Sequence, residues 1–465
     1  MRTLKIYSLS LLVATALSAE IFAQTITTPP PPGKPKDFKL PEKKSLKLDN
    51  GLTATLVPYG AIPKVNINVI IKTGNIHEGE NEVWLADLAG NLMREGTATM
   101  DFTTMAKKVA AMGGQLNVGV GPNQMTVSGS VLSEFAPDLI RIMADLVINP
   151  AFPAKELDRL KNDLKRQLSV DQSVPQNQAT AKFRSILYKD HAYGRIYPTE
   201  AMINSYTLEK AKAFYDANVG AKRTVVYAVG KFNEANVRKA IEESFAKWKA
   251  GPDVNYPVAT PVKSAEVAMI DRPGAPQTTV ILGLPTLDPS KQDFLPLQVT
   301  NSLLGGSFGS RITKNIREDK GYTYSPFSTV NAGYRAAIWY EQADVTTEQT
   351  GASLQEISKE IKRLQTERPS DEEVKGIQNY EAGIFVLQNS TRGGIINQLN
   401  FLDVHGLPDS YLTDRVKNIY QITPEKIQQV AKDHFKYEDM TLVLVGDKKV
   451  LEKQIKEHQK ALKVK

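Results

Sequence analysis

The chain has 465 residues, 41% hydrophobic and 23% charged, with a formal net charge of +7 and no cysteine. At about 150 residues per domain, this length implies two to four domains that core burial alone can stabilise. Lacking cysteine, the chain is neither a lipoprotein nor a disulfide scaffold, and lysines that alternate with Glu and Asp read as a solvated surface rather than a nucleic-acid footprint.

Arg2 and Lys5 precede a mostly apolar stretch, Ile6 to Ala19, with small Ala23 placed for cleavage. Residues 1–23 are therefore expected to be a secretory signal. Pro29 to Pro32 and Pro35 follow, so 24–38 is expected to be an extended linker. Leu46-Lys-Leu48, the Asn50-Gly51 turn and Leu52 to Val57 predict a hairpin. Val65 to Lys72 alternates as a strand does. Helical spacing predicts helices over 83–94, 103–112, 134–147, 155–168 and 179–187, with strands at 115–120 and 124–131.

A repeat follows. Thr207-Leu-Glu-Lys opens a helix leading to Thr224-Val-Val-Tyr-Ala-Val-Gly230; Thr423-Pro-Glu-Lys opens one leading to Thr441-Leu-Val-Leu-Val-Gly446. The steps 207 to 423 and 230 to 446 are both 216 residues, which implies an internal duplication. Gln277 to Leu284 then matches Val65 to Lys72, Asp293 to Leu304 matches the 83–94 helix, and strands are expected within 322–345. Helices are expected at 354–364 and 370–388, the latter opened by a capping box at Ser370 and Glu373. The fold class is α+β, two homologous domains (39–250 and 264–465), each a mostly antiparallel sheet covered by helices. The Pro-containing segment 251–263 is expected to link them.

Between these elements lies Leu303-Leu-Gly-Gly-Ser-Phe-Gly-Ser-Arg311, a glycine-rich turn into a short basic helix that is expected to run out near Gly321. Arg317 and Tyr324 stand seven residues apart across the helix-to-strand turn. A guanidinium beside a phenol suits polarising a peptide carbonyl, although such a pair also serves packing alone. The turn fits neither phosphate-binding glycine pattern, since no Gly-Lys-Ser/Thr follows. Ser310 is read as a helix cap.

With Gly113-Gly-Gln-Leu-Asn117 and Asn149-Pro-Ala-Phe-Pro153, this stretch resembles the pitrilysin/insulinase-like (M16) metallopeptidases. The resemblance covers the chain from about Lys39 onward. It implies an inverted zinc motif, His-x-x-Glu-His, on the 83–94 helix, where this chain has Asp87, Gly90 and Asn91. The third zinc ligand falls near Arg166 or Gln167. Asp87 could ligate, but an amide, a glycine and a cation do not complete a zinc site, and Gly90 offers no general base. His77, His191, His405, His434 and His458 are scattered and read as surface or packing residues.

The resemblance also implies that Arg317 and Tyr324 match the pair that binds substrate and stabilises the oxyanion, in some members across a heterodimer interface. The expectation is a non-zinc subunit: no metal or other cofactor on this chain, zinc on a homologous partner, and unstructured peptides as substrates. Neither nucleic acid nor membrane is expected as a partner after signal removal. The location expected is secreted, and periplasmic in a Gram-negative bacterium. The alternative is an inactive peptide-binding or scaffold protein that keeps the fold.

Overall fold

The computed structural model describes residues 38–463, so the expected signal peptide and nearly all of the proline-rich linker lie outside the described residues. The first half builds a six-stranded sheet in the order β1-β2-β6-β3-β5-β4. Its strands are β1 (Lys44–Lys47), β2 (Thr53–Pro58), β3 (Lys64–Ile71), β4 (Gln115–Val120), β5 (Met125–Leu132) and β6 (Thr224–Gly230). The second half builds a five-stranded sheet in the order β7-β11-β8-β10-β9. Its strands are β7 (Val267–Asp271), β8 (Gln277–Thr286), β9 (Phe327–Gly333), β10 (Ala336–Thr346) and β11 (Thr441–Gly446). Removing β1 leaves one topology in both halves, which accounts for the repeat. The sheets are mostly antiparallel, with one parallel pair in each, β2 with β6 and β7 with β11.

Seven principal helices belong to the first half: α1 (Leu85–Arg94), α2 (Phe102–Ala111), α3 (Ala136–Ile148), α4 (Leu157–Ser173), α5 (Pro175–Tyr188), α6 (Leu208–Asn218) and α7 (Glu234–Phe245). The second half has α8 (Phe294–Asn301), α9 (Thr350–Thr366), α10 (Asp371–Gln388), α11 (Arg392–His405), α12 (Pro424–His434) and α13 (Lys448–Lys463). Thr207 and Thr423 cap α6 and α12 by accepting from the backbone N–H groups of Lys210 and Lys426. Neither half ends on its buried strand: α7 follows β6 and α13 follows β11. Helix α11 is a further element that the sequence reading did not predict.

Strands β6 and β11 are buried at every position, so both faces of each sheet are covered. One face packs on helices of its own half. The other is covered by a helix from the opposite half. Phe183 and Leu187 of α5 pack with Ile281, Ile338, Val443 and Val445 of the second sheet. Ile395, Ile396 and Leu399 of α11 pack with Val57, Ile70, Val225 and Val229 of the first. Polar contacts pin the exchange: Gln176 Nε2 donates to Asp344 Oδ2 at 2.7 Å, and Lys72 pairs with Asp403 at 2.7 Å.

Candidate functional site

Helix α1 drives Leu85, Leu88, Ala89, Leu92 and Met93 into the first core, which leaves Asp87 and Asn91 on its partly buried side. Asp87 is not free to bind a metal. Its Oδ2 accepts from Asn75 Nδ2 at 2.7 Å, and the same amide nitrogen donates to Glu78 Oε1 at 3.0 Å. Glu78 Oε1 also accepts from the backbone N–H of Ala86 at 2.8 Å. Glu78 is buried, and burial, with the adjacent Asp87 charge, pushes its carboxyl up to about 8. Burial raises Asp87 as well, against the Asn75 hydrogen bond. The two acids thus form a proton-holding pair bridged by one amide. Sequence reading missed Glu78 and Asn75, because the loop that carries them has no periodicity.

Gly90 sits where α1 crosses the edge strand β4, and a Cβ there would lie 2.6 Å from Val120 Cγ2. The space for an acid side chain is filled by valine. On α4, Leu160, Leu164 and Leu168 face the core, so Arg166 and Gln167 are exposed. Arg166 pairs with Asp163, and Gln167 donates to Asp171 at 2.9 Å. These residues do not fit a zinc ion: one tied carboxylate, an amide, a glycine closed by Val120, and two side chains in solvent. The described residues contain no group of three His, Cys, Asp or Glu able to hold a metal. His77 contacts the Asn255 carbonyl and His458 contacts Tyr437.

The glycine-rich stretch is a helix that loosens. Helix α8 passes into a π-helical turn at Ser302–Gly306, and a second π turn covers Lys314–Asp319. Such turns recur at functional sites. The glycines answer to close packing. A Cβ on Gly305 would lie 2.6 Å from both Glu341 Oε2 and Ser328 Oγ, and one on Gly306 would lie 2.4 Å from Asn301 Nδ2. Asn301 Oδ1 accepts from Ser328 and from Trp339 Nε1, each at 2.7 Å. Beneath the turn, Glu341 is 0% exposed with both oxygens unpartnered, and burial raises its carboxyl well above the usual range. The cap reading of Ser310 is corrected. Its hydroxyl makes no cap bond and meets Thr313 Oγ1 at 2.9 Å instead.

Arg317 lies on the second π turn with its guanidinium 4.2 Å from the centroid of the Phe308 ring. Phe308 is itself 72% exposed. A left-handed backbone at Gly321 ends the turn, as glycine permits, and Tyr322 N–H closes onto the Ile316 carbonyl at 2.8 Å. Tyr324 follows, 85% exposed. Among the described residues no hydrogen bond or ion pair joins Arg317 to Tyr324, or either to Asp87 or Asn91. The phenol is presented outward, whereas the guanidinium is partly buried, with no internal partner beyond Phe308 and a loose 3.7 Å approach to Glu318.

Comparison with known proteins places this geometry in context. The sequence profile described as Insulinase (Peptidase family M16) matches residues 60–198, and that described as Peptidase M16 inactive domain matches residues 205–380. An uncharacterized zinc protease of Rickettsia felis is 25% identical over 330 residues, 70% of this chain and 79% of the relative. An uncharacterized zinc protease of Bacillus subtilis, YmxG, is 24% identical over 408 residues, 80% of this chain and 96% of the relative. Among solved structures, a peptidase M16 inactive domain from Pseudomonas fluorescens superposes with a TM-score of 0.80 at 22% identity, covering 87% of this chain and 98% of that one. A protease from Helicobacter pylori superposes with a TM-score of 0.82 at 18% identity, covering 88% and 100%.

Proposed function

The chain belongs to the M16 (insulinase) peptidase family, and within it we propose that it acts as the zinc-less subunit of a secreted heterodimeric peptidase. Its partner is a homologous chain that carries the zinc motif. This chain supplies Arg317 and Tyr324, which meet the carbonyl of an unstructured peptide held at the partner's metal.

The observation that carries this reading is the contrast between the two halves. At the zinc-motif positions Asp87 is tied up and Gly90 has no side chain, whereas the Tyr324 phenol is exposed and the partly exposed Arg317 guanidinium meets only Phe308 and Glu318. A phenol aimed at a developing oxyanion in a site closed to water is worth about 3 kcal/mol in the transition state. Zinc, bound by the partner, would supply Lewis acidity and the activated water. This chain's residues orient the peptide and stabilise the oxyanion.

The test is co-expression with a zinc-bearing homologue from the same genome, then metal analysis and peptide hydrolysis. One zinc per heterodimer and none on this chain alone is expected, with activity only in the pair. Tight zinc on this chain alone, or failure of the two chains to associate, overturns the reading. The stacking of Arg317 on Phe308 favours a second reading, an inactive scaffold in which that arginine only shapes the loop. Activity of the pair unchanged by Arg317→Ala and Tyr324→Phe would select it.

A further inference from the structure

The two halves share one topology, yet they differ at one sheet edge. In the first half β1 pairs antiparallel with β2 and closes its outer edge. Leu46 and Leu48 of that hairpin pack against the first core, which includes the buried Phe245 and Trp248. The Asn50 amide ties the arrangement by donating to the Phe245 and Trp248 carbonyls at 2.7 and 3.1 Å. In the second half β7, the counterpart of β2, is the last strand of its sheet.

Where the sealed corner of the first half would recur, the second half has an open groove of about 730 Å³. Its floor is one register row, Val267, Leu442 and Leu282. Helices α9 and α13 form its walls. Aligning the buried Val237 and Ile241 of α7 with Leu451 and Ile455 of α13 puts Gln459, which is exposed, at the place of Phe245. The groove exists because the second half lacks both the aromatic plug and the covering strand.

Two further features define what fits there. The ladder from β7 to β11 is parallel, and Glu266 O and Arg272 N–H are bonded to β11. Alternate residues therefore serve that ladder, and the N–H and C=O groups of Val267, Met269 and Asp271 face outward. In the wall, His458 is 2% exposed; its Nε2 meets the Tyr437 hydroxyl at 2.8 Å, and its buried Nδ1 has no partner. On the rim, Lys362 and Glu438 are exposed without an ion pair among the described residues.

We propose that this groove binds an extended segment of another polypeptide as a sixth strand on β7. The segment carries aliphatic side chains at alternate positions, as β1 does, with an acidic and a basic residue to meet Lys362 and Glu438. Its backbone pairs with Val267 and Met269, and its aliphatic side chains cover Val267 and Leu442. Recognition is by strand addition, with affinity from the main chain and selectivity from the alternate pockets. The site is separate from Arg317 and Tyr324 and does not depend on the peptidase reading.

The experiment uses a fluorescein-labelled peptide with the β1 sequence of residues 43–50, Lys-Lys-Ser-Leu-Lys-Leu-Asp-Asn. Fluorescence anisotropy is read on the full secreted chain. Saturable binding is expected, weakened at least about tenfold when the peptide is N-methylated at the edge-facing amides. Gln459→Phe places the missing plug in the groove and is expected to abolish binding without lowering Tm. That variant also separates the groove from exchange at β2, which it leaves untouched. No saturable binding to the folded chain, equal binding of the methylated peptide, or binding unchanged by Gln459→Phe would each overturn the proposal. So would self-association of the chain that Gln459→Phe removes in the absence of peptide binding.

Discussion

Replacing Glu78 with glutamine tests whether the degenerate zinc position has become a proton-holding pair. In the folded chain burial and Asp87 raise this carboxyl from 4.5 to about 8. The folded state therefore keeps a proton that the unfolded chain releases, and stability from this group is fully present below about pH 4.5. It is lost as pH rises through about 8, and the dependence then levels off. The whole shift corresponds to about 5 kcal/mol, and the steep part to about 1.4 kcal/mol per pH unit. Between about pH 5.5 and 7.5 the wild type should lose about 2.7 kcal/mol through this group. At about 2.1 cal/mol/K per residue, that is about 3 °C of Tm for a chain this size. In Glu78→Gln the amide still accepts from Ala86 N–H and has no proton to lose. The assay is differential scanning fluorimetry of both proteins across that pH range. The Tm of the variant minus that of wild type should climb with pH by about 3 °C, other titrations cancelling in the difference. A difference that stays flat would refute the assignment of a neutral Glu78 at pH 7.

Arg317→Ala and Tyr324→Phe should each lower kcat/KM of the proposed heterodimer about tenfold to a thousandfold. Tm should stay within about 1 °C because neither side chain supports the core. Gly305→Ala drives a methyl group into Glu341 and Ser328 and should destabilise by about 1–3 kcal/mol, read as a drop in Tm. Glu341→Leu removes a buried acid with no partner and should raise Tm at about pH 8, with a smaller gain at about pH 3.5, below the ordinary value of 4.5, where that acid is mostly neutral in both states. Restoring Asp87→His, Gly90→Glu and Asn91→His together should fail to capture zinc in equilibrium dialysis, because the third ligand position still holds the exposed Arg166 and Gln167 and Val120 crowds the new glutamate. Adding Val120→Gly together with Arg166→Glu or Gln167→Glu should improve capture.

The duplication was legible because its signals are local: a threonine cap, a first-turn lysine and an unbroken apolar strand at one spacing. The strand and helix boundaries of the first half follow from periodicity and sit within a few residues of those observed. Arg317 and Tyr324 could be named from their motif, but their exposure could not, since it depends on where the π turns release the chain. Glu78 was invisible because its burial comes from packing against α1, far from anything its loop encodes. Gly90 read as the loss of a general base; the approach of Val120, 2.6 Å from where a Cβ would stand, shows that the position is also closed to a larger side chain. Helix α11 was missed because its apolar residues serve a sheet more than 150 residues away in sequence.

The exchange of α5 and α11 bears on how the molecule opens. Each half lends the other a helix that lies flat on the neighbour's sheet, so the two cannot part without stripping two apolar faces at once. A hinge between the halves would be stiff, and neither half should fold cleanly when expressed alone. If the chain works in a clamshell, the moving lip is therefore the boundary with another protein. In the proposed heterodimer this chain would then be one rigid jaw.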